Sequence, residues 1–202
     1  MGRPREFDEE TAVSAARERF WDAGYAATSL SDLTQATGLG KASLYGAFGD
    51  KHALYMRIFE EYCESAVRGF HEALAGPDEG ALARVREHLL ANARGSAQNP
   101  RGCLLARGTA ELAGRDPDVA SRARRAHEEL AGAYAAAIEA AQRAGDVAAG
   151  ADPGALGLLL LGIHRGTEAL GRGGADEAAL VAMVEAALAG LPGGAHTRPV
   201  AR

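Results

Sequence analysis

At 202 residues, with 47% hydrophobic and 24% charged positions, the chain suits one large or two small domains and can bury a sizeable core. Its formal charge of −5 excludes nucleic-acid binding by bulk charge, and two cysteines forty residues apart exclude a disulfide framework or metal-ligand spacing. The longest apolar run, Ala155–Ile163, has nine residues and is too short for a membrane span. Glu6, Asp8, Glu9 and Glu10 follow the first methionine, which does not read as a secretory signal, so a cytoplasmic protein without membrane contact is expected. Alanine-rich helical periodicity with few β-branched runs predicts an all-α fold.

Arg3 and Arg5, in a proline-containing arm, suit either a mobile tail or contacts in a DNA groove. A first helix opens at Asp8, an N-cap followed by Glu9 and Glu10, buries Val13, Ala16 and Phe20, and closes at Gly24. Ser29 caps a second helix, with Asp32 completing a capping box, and Leu30, Leu33 and Ala36 share its inner face. Gly38-Leu39-Gly40 then turns the chain. A third helix, Lys41 to about Phe48, buries Leu44 and Phe48 and turns Lys41, Ala42, Ser43, Tyr45 and Gly46 outward. A capped helix, a glycine turn and a second helix with a small, polar outer face make a helix-turn-helix.

That outer face carries the candidate chemistry. Ala42, Ser43 and Gly46 let a helix sit deep in a major groove, and Lys41 and Ser43 reach base edges or phosphates. Tyr45, Lys51 and Thr28 suit flanking phosphates. Lys41 and Lys51 are the only lysines beside twenty arginines, which marks the two ends of this helix. Residues 1–60 hold seven Lys/Arg against nine Asp/Glu, so phosphate neutralisation has to be local. Gly38 to Ser43 is not a phosphate-binding loop, because Gln35 and Ala42 stand where that motif needs Gly and Ser/Thr.

Asp50 caps a fourth helix with apolar residues on two sides, a lever between domains. Further helices are expected at about 79–94, from Cys103 to before Gly114, from Pro117 to about Ala144 with a solvated arginine face (Arg122, Arg124, Arg125), from Pro153 to about Arg172, and at about 175–190. Leu156, Leu159, Leu160, Ile163 and Leu170 with Leu180, Val181, Val184 and Leu188 give the last two helices broad apolar faces. These suit a wholly intramolecular core or, the preferred reading, a four-helix dimer interface with Leu160 and Val184 on its seam and Gly157, Gly162 and Gly166 allowing close approach.

Residues 8 to about 60 resemble the DNA-binding domain of the TetR family of bacterial repressors. The matching residues are Phe20, Gly24-Tyr25, Thr28-Ser29-Leu30, Leu33, Ala36-Thr37-Gly38-Leu39 and Leu44-Tyr45, with Phe48, Lys51 and Leu54. Gly102-Cys103-Leu104-Leu105 and Glu111-Leu112 are similar to one branch of that family. Gly40 departs from the usual Ser/Thr cap, and Gly46-Ala47 from a commoner His-Tyr pair. The resemblance implies a TetR-like fold of about nine helices: a three-helix DNA-binding domain at 1–52, a ligand-binding and dimerisation domain at 53–192, and a disordered tail at 193–202. It further implies a cavity, for which helical faces offer Phe59, Tyr62, Cys63, Leu89, Leu105, Tyr134, Leu160 and His164. His164 and Glu168, four residues apart, also have the spacing of half a metal site, but no clustered Cys/His accompanies them.

The function these readings support is a homodimeric repressor that binds a palindromic double-stranded DNA operator and is released by a small-molecule effector. No enzymatic constellation, metal site or cofactor motif stands against it. The alternative is a thiol-based redox sensor on the same scaffold. Cys103 sits at a helix start, where free backbone N–H groups favour a thiolate, with Arg101 and Arg107 nearby in sequence.

Overall fold

The structure, a computed structural model, describes residues 8–99 and 101–193; the arm with Arg3 and Arg5 and the tail from 194 onward lie outside the described residues. Among the described residues the chain forms nine helices: α1 (Glu9–Ala23), α2 (Leu30–Thr37), α3 (Lys41–Phe48), α4 (Lys51–Leu74), α5 (Ala81–Gln98), α6 (Leu104–Leu112), α7 (Pro117–Ala144), α8 (Pro153–Arg172) and α9 (Glu177–Ala189). They form two compact units. One holds the chain up to Cys63 together with Leu104–Ala123, the other Glu64–Cys103 together with the chain from Arg124 onward. The cut in α4 lies beyond the boundary expected at residue 52, and α6 joins the N-terminal unit.

In the first unit the helix ends follow local chemistry. Asp8 accepts hydrogen bonds from the Glu10 and Thr11 amides at the start of α1. Ser29 and Asp32 form the reciprocal capping box of α2, with the Ser29 amide 2.7 Å from Asp32 Oδ2 and the Asp32 amide 3.1 Å from Ser29 Oγ. Gly38 ends α2 in the left-handed region at φ 69°, where a side chain would be strained. Leu33, Leu44, Phe48, Phe20, Tyr55 and Phe59 are buried in this unit, and Tyr55 lies edge-on to Phe20 and Tyr25 with ring centroids 5.2 and 4.9 Å apart. Ala36 is exposed, so the inner face of α2 is narrower than expected and rests mainly on Leu33.

In the second unit α5 packs against both α8 and α9. Asp152 and Pro153 open α8, and Asp176 caps α9. Helix α5 runs to Gln98, beyond its expected end. Gly95 and Ser96 extend it, and it closes at Asn99, whose backbone N–H donates to the Gly95 carbonyl. Gly157 serves the intramolecular core: a Cβ there would come 2.5 Å from the Ala131 carbonyl oxygen of α7. Arg122, expected in solvent, is buried with Nε 2.9 Å from Glu60 Oε1, close for an ion pair though off-line for a hydrogen bond.

The apolar faces of α8 and α9 divide between two directions. Leu160 and Val184 are buried within the chain, so neither lies on an outer seam. Leu158, Leu159 and Leu170 are 64%, 48% and 50% exposed, and Gly162 and Ala169 lie exposed on the same helix. On α9, Ala178, Ala182 and Ala186 are exposed.

Candidate nucleic-acid interface and a buried polar cluster

Helix α3 is anchored by two side chains and open everywhere else. Leu44 and Phe48, four residues apart, are buried, whereas Lys41, Ala42, Ser43, Tyr45, Gly46 and Ala47 are all exposed. The period of 3.6 dictates this division, and alanine and glycine keep the outer surface low. Gly40 caps the helix without a side-chain hydrogen bond, so its first-turn amides are not taken up by a capping side chain. Lys41 Nζ lies 5.8 Å from the centroid of the Tyr45 ring, placing a cation and a hydroxyl-bearing ring on the same face.

Lys51, in the first turn of α4, stands with Nζ 4.3 Å from the centroid of the Tyr25 ring. Partial burial holds its pKa below the usual lysine value, against the opposing pull of Glu111 and Asp32. Thr28 is placed differently from the sequence expectation. It is 0% exposed, and its hydroxyl donates to the Gly24 carbonyl at 2.6 Å, so it braces the turn before α2. Six of the seven expected DNA-facing residues therefore reach solvent, and Thr28 does not.

The expected ligand-site residues fall into both units. Phe59, Cys63 and Leu105 are core residues of the first, and Tyr62 there meets Trp21 edge-on at 5.2 Å. Leu89, Tyr134, Leu160 and His164 belong to the second, all buried. Of these, Tyr134 and His164 are joined directly, hydroxyl to Nδ1 at 3.0 Å. His164 Nε2 lies 3.5 Å from Glu168 Oε1, which puts the imidazole proton on Nε2 and leaves Nδ1 to accept from Tyr134. Arg165 closes the network, with Nη1 2.7 Å from Glu168 Oε2.

Two residues of this cluster escaped the sequence reading. The rings of Phe70 and His88 pack against Tyr134 and His164, with centroid distances of 4.5 Å between Phe70 and His88 and 5.4 Å between the two histidines. His88 Nε2 is buried without a hydrogen-bond partner among the described residues. Burial, helped by the neighbouring His164, lowers the His88 pKa to about 4, and burial likewise lowers that of His164 despite Glu168. Burial opposes ionisation of Glu168, yet His164 and Arg165 hold its pKa below the usual carboxylate value. Both histidines are thus neutral at pH 7, in a site that offers polar atoms from aromatic walls.

Cys103 is half-buried, with its Sγ 3.1 Å from Arg165 Nη1, whereas Cys63 is fully buried; the two do not form a disulfide. His52, Asp116 and Asp118 offer atoms within 4.8 Å of one another at the starts of α4 and α7. Asp116 is accounted for by capping: Oδ1 accepts from the Asp118 and Val119 amides, and Oδ2 lies 2.8 Å from His52 Nε2.

These features carry a family signature at both ends of the chain. Residues 12–58 match the family described as "Bacterial regulatory proteins, tetR family", and residues 81–187 match "Tetracyclin repressor-like, C-terminal domain". The chain belongs to the TetR family of DNA-binding transcriptional regulators. It is 29% identical to the HTH-type transcriptional repressor ComR of Escherichia coli K12 over 62% of this chain and 61% of that protein. It is 44% identical to the repressor BdcR of the same organism over 30% of this chain and 31% of that one. The chain thus spans less than two thirds of either relative.

Among solved structures, a cysteine-substituted variant of the TetR regulator CifR, in complex with a 26-base-pair operator, superposes with a TM-score of 0.79. It is 29% identical, over 95% of this chain and 100% of that one. A regulator from Chloroflexus aurantiacus, 24% identical, shares the fold with a TM-score of 0.78 over 89% of this chain and 91% of that one. The relatives are regulators of transcription, and this chain is a regulator rather than an enzyme. No helix of the described residues is long and apolar enough to cross a membrane.

The histidine cluster makes stability depend on pH. A histidine with a lowered native pKa binds fewer protons folded than unfolded, so its contribution is complete above about pH 6.5 and declines towards pH 4. His164 shifts in the same direction. Melting temperature is expected to fall steadily between pH 7 and pH 5, and less steeply in His88→Leu, as followed by circular dichroism. Equal slopes for both proteins would exclude His88 as a source.

Proposed function

We propose that the chain is a repressor that binds a palindromic operator as a homodimer in the cytoplasm and releases it when a small molecule occupies the second unit. The observation that carries this reading is α3, an eight-residue helix held by two buried side chains with every other side of it open. In the proposal its small residues enter a major groove, Lys41 and Ser43 meet base edges, and Tyr45 and Lys51 meet phosphates. Two such helices about 34 Å apart would read successive turns of DNA. The operator-bound CifR variant supports this through its shared fold along nearly the whole chain.

The homodimer is proposed through the exposed sides of α8 and α9, where Leu158, Leu159 and Leu170 lack cover. The effector is proposed to be small and largely apolar, oriented by Tyr134 and His164 with Leu89 and Leu160 as apolar wall. The unpartnered His88 Nε2 supports this, since an effector with one polar group, a donor or an acceptor according to the His88 tautomer, would satisfy it. Its leverage is limited to its differential affinity for the DNA-binding and released states.

A second reading, with Cys103 as a redox trigger, is favoured by one contact: the Arg165 guanidinium lies 3.1 Å from its sulfur. Operator affinity compared before and after peroxide separates the two triggers. Unchanged binding with Cys103 oxidised excludes the thiol.

Two substitutions at the reader are expected to behave differently. Lys41→Ala weakens a selected operator more than scrambled DNA, whereas Lys51→Ala weakens both alike and flattens the salt slope by about one. Anisotropy at several salt concentrations measures both, and unchanged affinities in both variants would remove α3 as the reader.

For the dimer, Leu159→Glu is expected to give a folded monomer by light scattering, since it places a carboxylate on an exposed but partner-covered site. Leu160→Glu, at a buried site, is expected to cost the fold itself several kcal/mol, about the penalty of an unpaired buried charge. A Leu159→Glu chain that remains dimeric puts the interface elsewhere.

A further inference from the structure

Within the first unit, helix α6 reaches the turn between α1 and α2 through a carboxylate. Glu111 accepts two backbone hydrogen bonds from the turn between α1 and α2: Tyr25 N–H to Oε2 at 3.1 Å and Ala26 N–H to Oε1 at 2.6 Å. One turn of α6 earlier, Arg107 Nη1 donates to the Trp21 carbonyl in the last turn of α1 at 2.9 Å. The fit is tight. At Gly24, which sits at φ 89°, a Cβ would come 2.7 Å from Glu111 Oε2. At Gly108 a Cβ would come 2.4 Å from the Tyr55 hydroxyl, so α6 lies against α4 at a distance only glycine permits.

We propose that Glu111 is a positioning residue for DNA recognition, a latch by which α6 fixes the α1–α2 turn and through it α2, α3 and Lys51. This rests on the DNA-binding reading of the first unit. The turn feeds the reader directly. The Thr28 hydroxyl closes onto the Gly24 carbonyl at 2.6 Å, the Ser29 capping box starts α2 one residue later, and the Tyr25 ring carries the Lys51 ammonium 4.3 Å from its centroid. The two amides lie outside α1 and α2, and Ala26 is exposed, so water replaces the acceptor when the carboxylate is lost. The cost then falls on the turn's position more than on the stability of the unit.

The latch also has a place in the chain that suits regulation. The first stretch of the second unit ends at Cys103, and the chain re-enters the first unit at Leu104, where α6 begins. A displacement of α6 is therefore delivered to the reader's turn by two hydrogen bonds to one side chain, in addition to any movement of α4. Charge-assisted bonds of this kind are short-range and directional, so a small shift of α6 breaks them outright.

The test uses full-length protein and a duplex selected from a randomised pool by the wild-type chain, with a scrambled duplex beside it. Glu111→Gln keeps the size but offers one carbonyl oxygen and an amide that repels the second donor. It is expected to weaken the selected duplex about tenfold and the scrambled duplex less than about twofold. Amide exchange at Tyr25 and Ala26 is expected to speed up, with helicity retained. Glu111→Asp, which retains both oxygens on a shorter arm, is expected to recover part of the affinity and provides the comparison should the Gln variant unfold. Faster exchange with unchanged affinity for the selected duplex would overturn the positioning role, as would Asp and Gln variants that bind like wild type. A wild-type chain that selects no duplex would overturn the DNA-binding reading and the latch with it.

Discussion

The structure depends most on how little of α3 is tied down. Leu44 and Phe48 are buried, and the rest of its surface is left to solvent by small or polar residues. An eight-residue helix is too short to persist alone, so its existence and its orientation both come from those two anchors and the rest of the first unit. The constraint works in both directions. Larger residues on the outer face would lift the helix from a groove, and weaker anchors would let it fray before reaching one.

Around that helix the first unit supplies braces that act over different distances. The Ser29–Asp32 capping box acts within four residues, and Thr28 to Gly24 within five. Glu111 acts from 86 and 85 positions away in sequence, and Glu9 pairs with Arg57 across 48. The second unit is organised differently, around a ring cluster whose histidines stay neutral because burial lowers both pKa values, helped by His164 at His88 and outweighing Glu168 at His164. One unit thus exposes its proposed reading helix, while the other buries the ring cluster proposed to orient an effector.

What the sequence revealed follows the same division of distances. Asp8 and Ser29 mark helix starts through contacts of two or three residues, and the structure uses them so. The burial of Leu44 and Phe48 followed from periodicity, as did the outward set on α3. The misplacements involve partners distant in sequence or a choice between two apolar faces. Arg122 meets Glu60 across 62 positions, which no local pattern signals. Leu159 and Leu160 are adjacent leucines, and only packing against α5 and α9 decides which turns inward. His88 was overlooked because a single histidine on an amphipathic helix carries no signal until His164, 76 residues later, is stacked on it.

The most direct measurement of the account uses the chain's scarcity of lysine. Lys41 and Lys51 are its only two, and they stand at the opposite ends of the proposed reading helix region. Acylation of lysine amines, quantified by mass spectrometry with and without saturating selected duplex, reports on both ends of that helix at once. The account predicts that both lysines are protected by the duplex and remain reactive beside scrambled DNA at a salt concentration that abolishes nonspecific binding. Two lysines that react at the same rate with and without bound duplex would contradict it.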